Sequence, residues 1–158
     1  MIQAELLAVG SVFSKNSEVF KDNKWNDIEN PPVTGTGMGW YAAVFHDGYH
    51  YYFGGSSGSY LNSILRLEKV QKNLWTWSHV GQMESTRVSH RVILAEDRFM
   101  VVGGRRDGDF SNMKNEACFL KNDGKFYCMA FSSRLYNYID YPVLFLVDDN
   151  YGNCSSPW

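Results

Sequence analysis

Tyr49-His50-Tyr51-Tyr52-Phe53-Gly54-Gly55 and Phe99-Met100-Val101-Val102-Gly103-Gly104 decide how this chain folds. Each is a short run dominated by aromatic or β-branched residues, the types that suit a pleated, half-buried surface, and each stops at a pair of glycines. Gly54 and Gly103 stand 49 positions apart in a chain of 158 residues. Self-similarity at a period of about 50 residues is the mark of a repeat architecture.

The order of features between the glycine pairs fits one supersecondary unit. Ser63-Ile64-Leu65-Arg66-Leu67-Glu68 alternates apolar and polar, as a half-buried strand should. A polar turn around Gln71-Lys72-Asn73 leads into a second alternating run, Leu74-Trp75-Thr76-Trp77-Ser78. Met83, Arg87 and His90 follow, and Arg91-Val92-Ile93-Leu94 begins a third run that turns at Glu96-Asp97 toward the next glycine pair. Four short antiparallel strands per repeat are predicted, the content of one propeller blade. The glycine pair, the Trp in the last strand and the Met83-x-x-x-Arg87-x-x-His90 segment together resemble the kelch family, closely over residues 39–104 and more weakly on both sides. The resemblance implies an all-β fold, a kelch-type β-propeller fragment of four-stranded antiparallel blades that is not a closed ring. Its expected divisions are an incomplete blade over residues 1–30, blades over 38–79 and 87–130, and the start of a degenerate blade over 135–158.

Working outward, residues 4–9 read as the second strand of the first unit, with Gly10-Ser11 at the place of the glycine pair. Glu18-Val19-Phe20 reads as its third strand, Asp22-Asn23-Lys24 as a turn, and Trp25 stands where Trp75 stands later. Thr34-Gly35-Thr36-Gly37-Met38-Gly39 is a connector whose three glycines predict close backbone approach. It precedes a strand and not a helix, so the N–H groups and dipole that hold a phosphate are not expected there. Trp40-Tyr41-Ala42-Ala43-Val44-Phe45 is the expected inner strand of the next unit, and Asp47-Gly48 is a two-residue hairpin turn. Toward the other end Phe126 takes the place of Trp, and Asp148-Asp149 replaces the glycine pair. Kelch rings usually have about six blades, so these units do not close one. The expectation is a fragment, a truncated chain, or a chain that completes itself by assembly.

Fifteen basic and 17 acidic side chains leave a net charge of −2, without the electrostatic footprint of a nucleic-acid or membrane-surface binder. No apolar run approaches the ~20 residues of a membrane span. Met1-Ile2-Gln3-Ala4-Glu5-Leu6 has no basic region before an apolar core, so a secretory signal is not expected and the cytoplasm is slightly favoured. Cys118, Cys128 and Cys154 are too few for a disulfide scaffold. Cys118 and Cys128 lie roughly opposite each other across the turn at Asp123-Gly124; a cross-strand bridge is conceivable, and two reduced, partly buried thiols are the plainer reading. Asn153-Cys154-Ser155 matches a glycosylation acceptor, a common triplet.

In such a meander the residues after each glycine pair and those leading into each inner strand share one face. The expected partner-binding residues there are Ser56, Ser57, Arg105, Arg106, Ser89, Trp40, Tyr41 and Arg134. In kelch domains this face commonly grips a partner peptide, and the resemblance implies that role at Arg105 and Ser89. Arginine pairs bidentately with carboxylates, and Trp40 and Tyr41 could anchor an interface; a solvated, internally paired Arg105-Arg106-Asp107 loop is the plain alternative. Gly54, Gly55, Gly103, Gly104, Trp25, Trp75, Trp77 and Arg87 are expected to be structural, Arg87 as a brace between units. Catalysis finds little support: His46 and His50 straddle a hairpin turn, no serine sits in a nucleophile elbow, and no metal or cofactor is expected. The expected function is a non-catalytic protein-interaction module, in relatives often the recognition part of a ubiquitin-ligase adaptor or a scaffold, with an acidic partner and self-assembly as further expectations. The alternatives are a remnant of a kelch-like copper radical oxidase, which uses tyrosine, histidine and a tyrosine linked to cysteine, or a truncated chain with no independent activity.

Overall fold

The computed structural model describes residues 5–72, 74–105, 114–131 and 142–144. Every regular element among them is a β-strand. Strands β1 (Leu6–Ser11), β2 (Ser14–Lys21) and β3 (Lys24–Ile28) form the first sheet. Strands β4 (Ala42–His46), β5 (Tyr49–Phe53), β6 (Ser63–Gln71) and β7 (Leu74–Gln82) form the second. Strands β8 (Arg91–Ala95), β9 (Arg98–Val102), β10 (Glu116–Leu120) and β11 (Phe126–Ala130) form the third. In each sheet the order in space is the order in sequence and every pairing is antiparallel. The three sheets do not close on one another among the described residues.

Two hairpins show why the chain reverses where it does. Asp22-Asn23 and Asp47-Gly48 each join strands by two residues with positive φ, 52° and 60° in the first and 50° and 85° in the second. That conformation matches the right-handed twist of the flanking strands, and Asp, Asn and Gly tolerate it best.

The second sheet lies between the other two, which explains the nearly unbroken apolar run in β5. Successive strand residues point to opposite faces. Tyr52 accordingly joins Leu65, Leu67 and Trp75 against Val9, Val19 and Met38 on the side of the first sheet. Tyr51 and Phe53 join Ile64, Val80 and Met83 against Phe99, Val101, Cys118, Phe126 and Cys128 of the third. The rings there meet edge to face, Tyr51 on Phe126 at 5.2 Å and Phe99 on Phe126 at 5.0 Å, the arrangement favoured by the aromatic quadrupole. The first sheet has one covered face. On its other face Leu6, Phe20 and Trp25 stand in register across three strands, all exposed.

Two details depart from the sequence reading. The first strand of the second sheet starts at Ala42 and not at Trp40, because Trp40 has a φ of 55° that no strand accommodates. The first strand of the third sheet starts at Arg91, where the sequence places it, after Ser89 makes the same excursion at 59°. Cys118 and Cys128 are joined in a disulfide and are not reduced thiols: they are direct cross-strand partners with Cα atoms 4.0 Å apart. The unit expected over residues 135–158 falls outside the described residues except at 142–144, where no strand forms.

Candidate functional site

The ends of the sheets that carry the glycine pairs form one continuous stretch of backbone. Gly39 and Ser56 exchange N–H···O bonds of 3.0 and 2.8 Å, and Val88 and Arg105 repeat the exchange at 2.9 and 3.0 Å. The Ser89 N–H donates to the Trp40 carbonyl at 3.0 Å, and the Gly55 N–H donates to the Arg87 carbonyl at 2.9 Å. These bonds stitch the second sheet to the third and bring Trp40, Ser56, Ser89 and Arg105 into one row. Trp40 leaves 39% of its surface in solvent. A non-glycine residue in the left-handed region costs about 1–2 kcal/mol, and here it occurs at Trp40 and again at Ser89, two residues before the first strands of the second and third sheets.

The glycines of this region are dictated by packing. A Cβ on Gly54 would lie 2.7 Å from the Arg87 carbonyl oxygen, one on Gly55 2.6 Å from that of Gly39, and one on Gly104 2.6 Å from that of Val88. The close approach expected of the connector is to neighbouring loop ends. Gly35 faces the Ser57 backbone, and Gly37 and Gly39 face Val12.

Beneath the row lies a charged bracket. Arg87, fully buried, donates through Nη1 to the Gly103 carbonyl at 3.1 Å and through Nη2 to the Lys114 carbonyl at 2.8 Å and to Glu116. The equally buried Glu116 carboxylate also accepts the backbone N–H groups of Glu84 at 2.7 Å and Ser85 at 3.2 Å. Burial pulls the Arg87 pKa down and the Glu116 charge opposes that pull; guanidinium stays protonated across the working range. His90, packed below Gly54, is fully buried. Burial first, then the Arg87 charge, push its pKa down to about 3, so the ring is neutral at physiological pH.

The expected site residues divide by what they touch. Ser56 belongs to the row, whereas Ser57 is buried with its Oγ accepting the Gly35 N–H at 2.9 Å. Tyr41 points away from solvent, its hydroxyl bonded to the Val9 carbonyl and its ring edge-on to Tyr52 at 5.2 Å; burial raises its pKa. Trp75 lies in the core between the first two sheets, and the Trp77 Nε1–H donates to the Glu29 carbonyl at 2.7 Å, tying the same two sheets together. Trp25 meets Phe20 with ring centroids 5.3 Å apart and planes tilted by 57° on the uncovered face of the first sheet, and it is 45% exposed. Arg106 and Arg134 lie outside the described residues.

Two features escaped the sequence reading. Val12 and Phe13, just past the first unit's glycine site, are exposed on the same end of the sheets, Phe13 at 90%, with Val12 seated against Gly39 beside Trp40. Two apolar residues directly after Gly10-Ser11 were the available signal. Glu116 was not singled out as the partner of Arg87; an acid heading an apolar strand was the signal there. At the opposite end of the sheets a cleft of about 330 Å³ lies between the first two, but Lys21, Lys24 and Lys72 face Glu5, Asp22 and Asp27 within it, which leaves no strong preference for either sign of ligand. In comparisons with known proteins, no family model and no curated protein matches the chain.

Proposed function

We propose that the chain is part of a kelch-type β-propeller and acts as a non-catalytic protein-binding module, taking a partner peptide or protein on the end of the sheets that carries the glycine pairs. One observation carries the reading: two successive sheets bring Trp40, Ser56, Ser89 and Arg105 into a single hydrogen-bonded row with an exposed tryptophan held in a strained conformation. Strain of this kind collects at ligand clamps. Arg105 at one end of the row suits a carboxylate, and Trp40 with Val12 and Phe13 suits an apolar side chain, so the fitting partner is a segment with an apolar anchor near an acidic residue. A recognition subunit of a ubiquitin-ligase adaptor or a scaffold is the larger setting the kelch resemblance implies. The uncovered Leu6–Phe20–Trp25 face supports a role for further blades, or for a second copy, in completing the ring. The sulfurs of Cys118 and Cys128 are bonded to each other, so in this state neither can form the tyrosine link of a copper radical oxidase.

The test is a peptide display selection against the chain, followed by affinity measurement on Trp40→Ala and Arg105→Ala. Selected peptides should carry an acid beside an apolar residue and should bind each variant at least 10-fold more weakly, with unfolding midpoints close to that of the parent. Peptides that bind both variants as well as the parent would overturn the reading.

A further inference from the structure

The β10–β11 hairpin carries the one disulfide among the described residues, and its surroundings extend its influence beyond the hairpin. Cys118 and Cys128 are both buried and pack with Phe99, Phe126, Tyr51 and Phe53. Glu116 lies two residues before Cys118 on β10, hence on the same face of the strand. Its carboxylate and the two sulfurs all lie within 4.8 Å of one another. That carboxylate fixes the Glu84 and Ser85 amides and Arg87, and Arg87 fixes the Gly103 carbonyl, two residues from Arg105. The other half of the bridge sits on β11, an edge strand paired on one side only.

We propose that the redox state of Cys118–Cys128 controls the order of the Trp40–Arg105 row, the bridge acting through Glu116 and Arg87. A dithiol reductant supplies two electrons and two protons; the S–S bond breaks, Cys118 and Cys128 become thiols, and the reductant leaves as its own disulfide. Two thiols cannot approach as closely as two bonded sulfurs. The interior around them is close-packed and transmits the displacement, and the Glu116 carboxylate lies within 4.8 Å of both sulfurs. Displacing that carboxylate loosens the anchors at residues 84–85 and 103–105 while the contact between the first two sheets, on the far side of β5, is untouched. The inference concerns how the row is held and does not depend on what binds there.

The experiment is amide exchange followed by NMR on the whole chain, bridged and after treatment with dithiothreitol, with iodoacetamide labelling and intact mass to count free thiols. The bridged chain should alkylate at Cys154 alone and the reduced chain at all three cysteines. On reduction the Glu84, Ser85, Val88 and Arg105 amides should exchange at least 10-fold faster, with the β1–β2 amides unchanged. Cys118→Ala/Cys128→Ala, which removes the bridge and leaves space where the sulfurs were, should give a smaller acceleration at the same four amides. Unchanged exchange in a chain shown to be reduced overturns the proposal. So does an equal acceleration at every amide, or three free thiols in a chain oxidised with glutathione disulfide and never reduced.

Discussion

Glu116→Gln is the most informative single change, because it preserves shape while it removes the charge and one acceptor oxygen. The Glu116 carboxylate is fully buried and receives three donors: Arg87 Nη2, the Glu84 N–H and the Ser85 N–H. Glutamine offers one oxygen in place of two and turns an NH₂ group toward a donor, so at least one of those three loses its acceptor. More important, Arg87 becomes a buried cation without a counter-ion. Removing one partner of a buried pair costs about 3–5 kcal/mol, and for a domain of this size each kcal/mol lowers Tm by about 2–4 °C. The expected loss is therefore about 6–20 °C by calorimetry, matched by a lower urea midpoint with an unchanged slope. Arg87→Met combined with Glu116→Leu should recover much of the loss, since neither charge then remains in the interior. A Glu116→Gln chain that unfolds within about 0.5 kcal/mol of the parent, below the effect of an ordinary core change, would refute the bracket as the element that joins the loop ends to the third sheet.

Three other outcomes follow from the same geometry. With the His90 pKa near 3 in the folded chain and the ordinary 6.5 in the unfolded one, only the unfolded chain takes up a proton as pH falls below 6.5; stability should drop by about 1.4 kcal/mol per pH unit from this group, and urea titrations at pH 7 and pH 5 should show that part of the drop vanish in His90→Gln. Gly104→Ala places a Cβ 2.6 Å from the Val88 carbonyl oxygen at a φ of 83°, so it should cost about 1–3 kcal/mol in thermal unfolding, and a neutral result would mean the two loop ends can part. Trp40→Gly relieves the left-handed strain and should leave the unfolding free energy unchanged or raise it by about 1 kcal/mol, while fluorescence anisotropy should show a display-selected peptide bound at least 10-fold more weakly.

The all-β fold was legible because its signals are local. Alternation in Ser63 to Glu68 and Asp-Gly at residues 47–48 each specify backbone conformation within a few residues, and those strands and that turn are where the patterns place them. What was not legible depends on contacts across the chain. Trp40 has an ordinary strand neighbourhood in sequence, and only the approach of Gly55 to Gly39 and of Ser89 to its carbonyl reveals that it must leave the strand geometry. Arg87 and Glu116 are 29 residues apart, and nothing near either one announces the other. The disulfide turned on register: a shift of one residue between β10 and β11 would set Cys118 and Cys128 on opposite faces, and register is a property of packing on the second sheet as much as of the turn.

Trp40 and Ser89 separate what the scaffold requires from what it tolerates. At Gly54, Gly55 and Gly104 a side chain is excluded by carbonyl oxygens under 3 Å away, so glycine there is explained by packing alone. Trp40 and Ser89 occupy the same left-handed region, where glycine would also be least strained, yet both carry side chains. Packing accounts only in part for the tryptophan, which keeps 39% of its surface in water. Hydrogen bonding does not account for the serine, whose buried hydroxyl has no partner among the described residues. Each therefore carries a backbone cost that the described contacts offset only in part. A ligand that covers the indole and bonds a group of this row would supply the remainder, and this is the physical ground for the proposal that recognition occurs at this end of the sheets instead of in the charged cleft at the other.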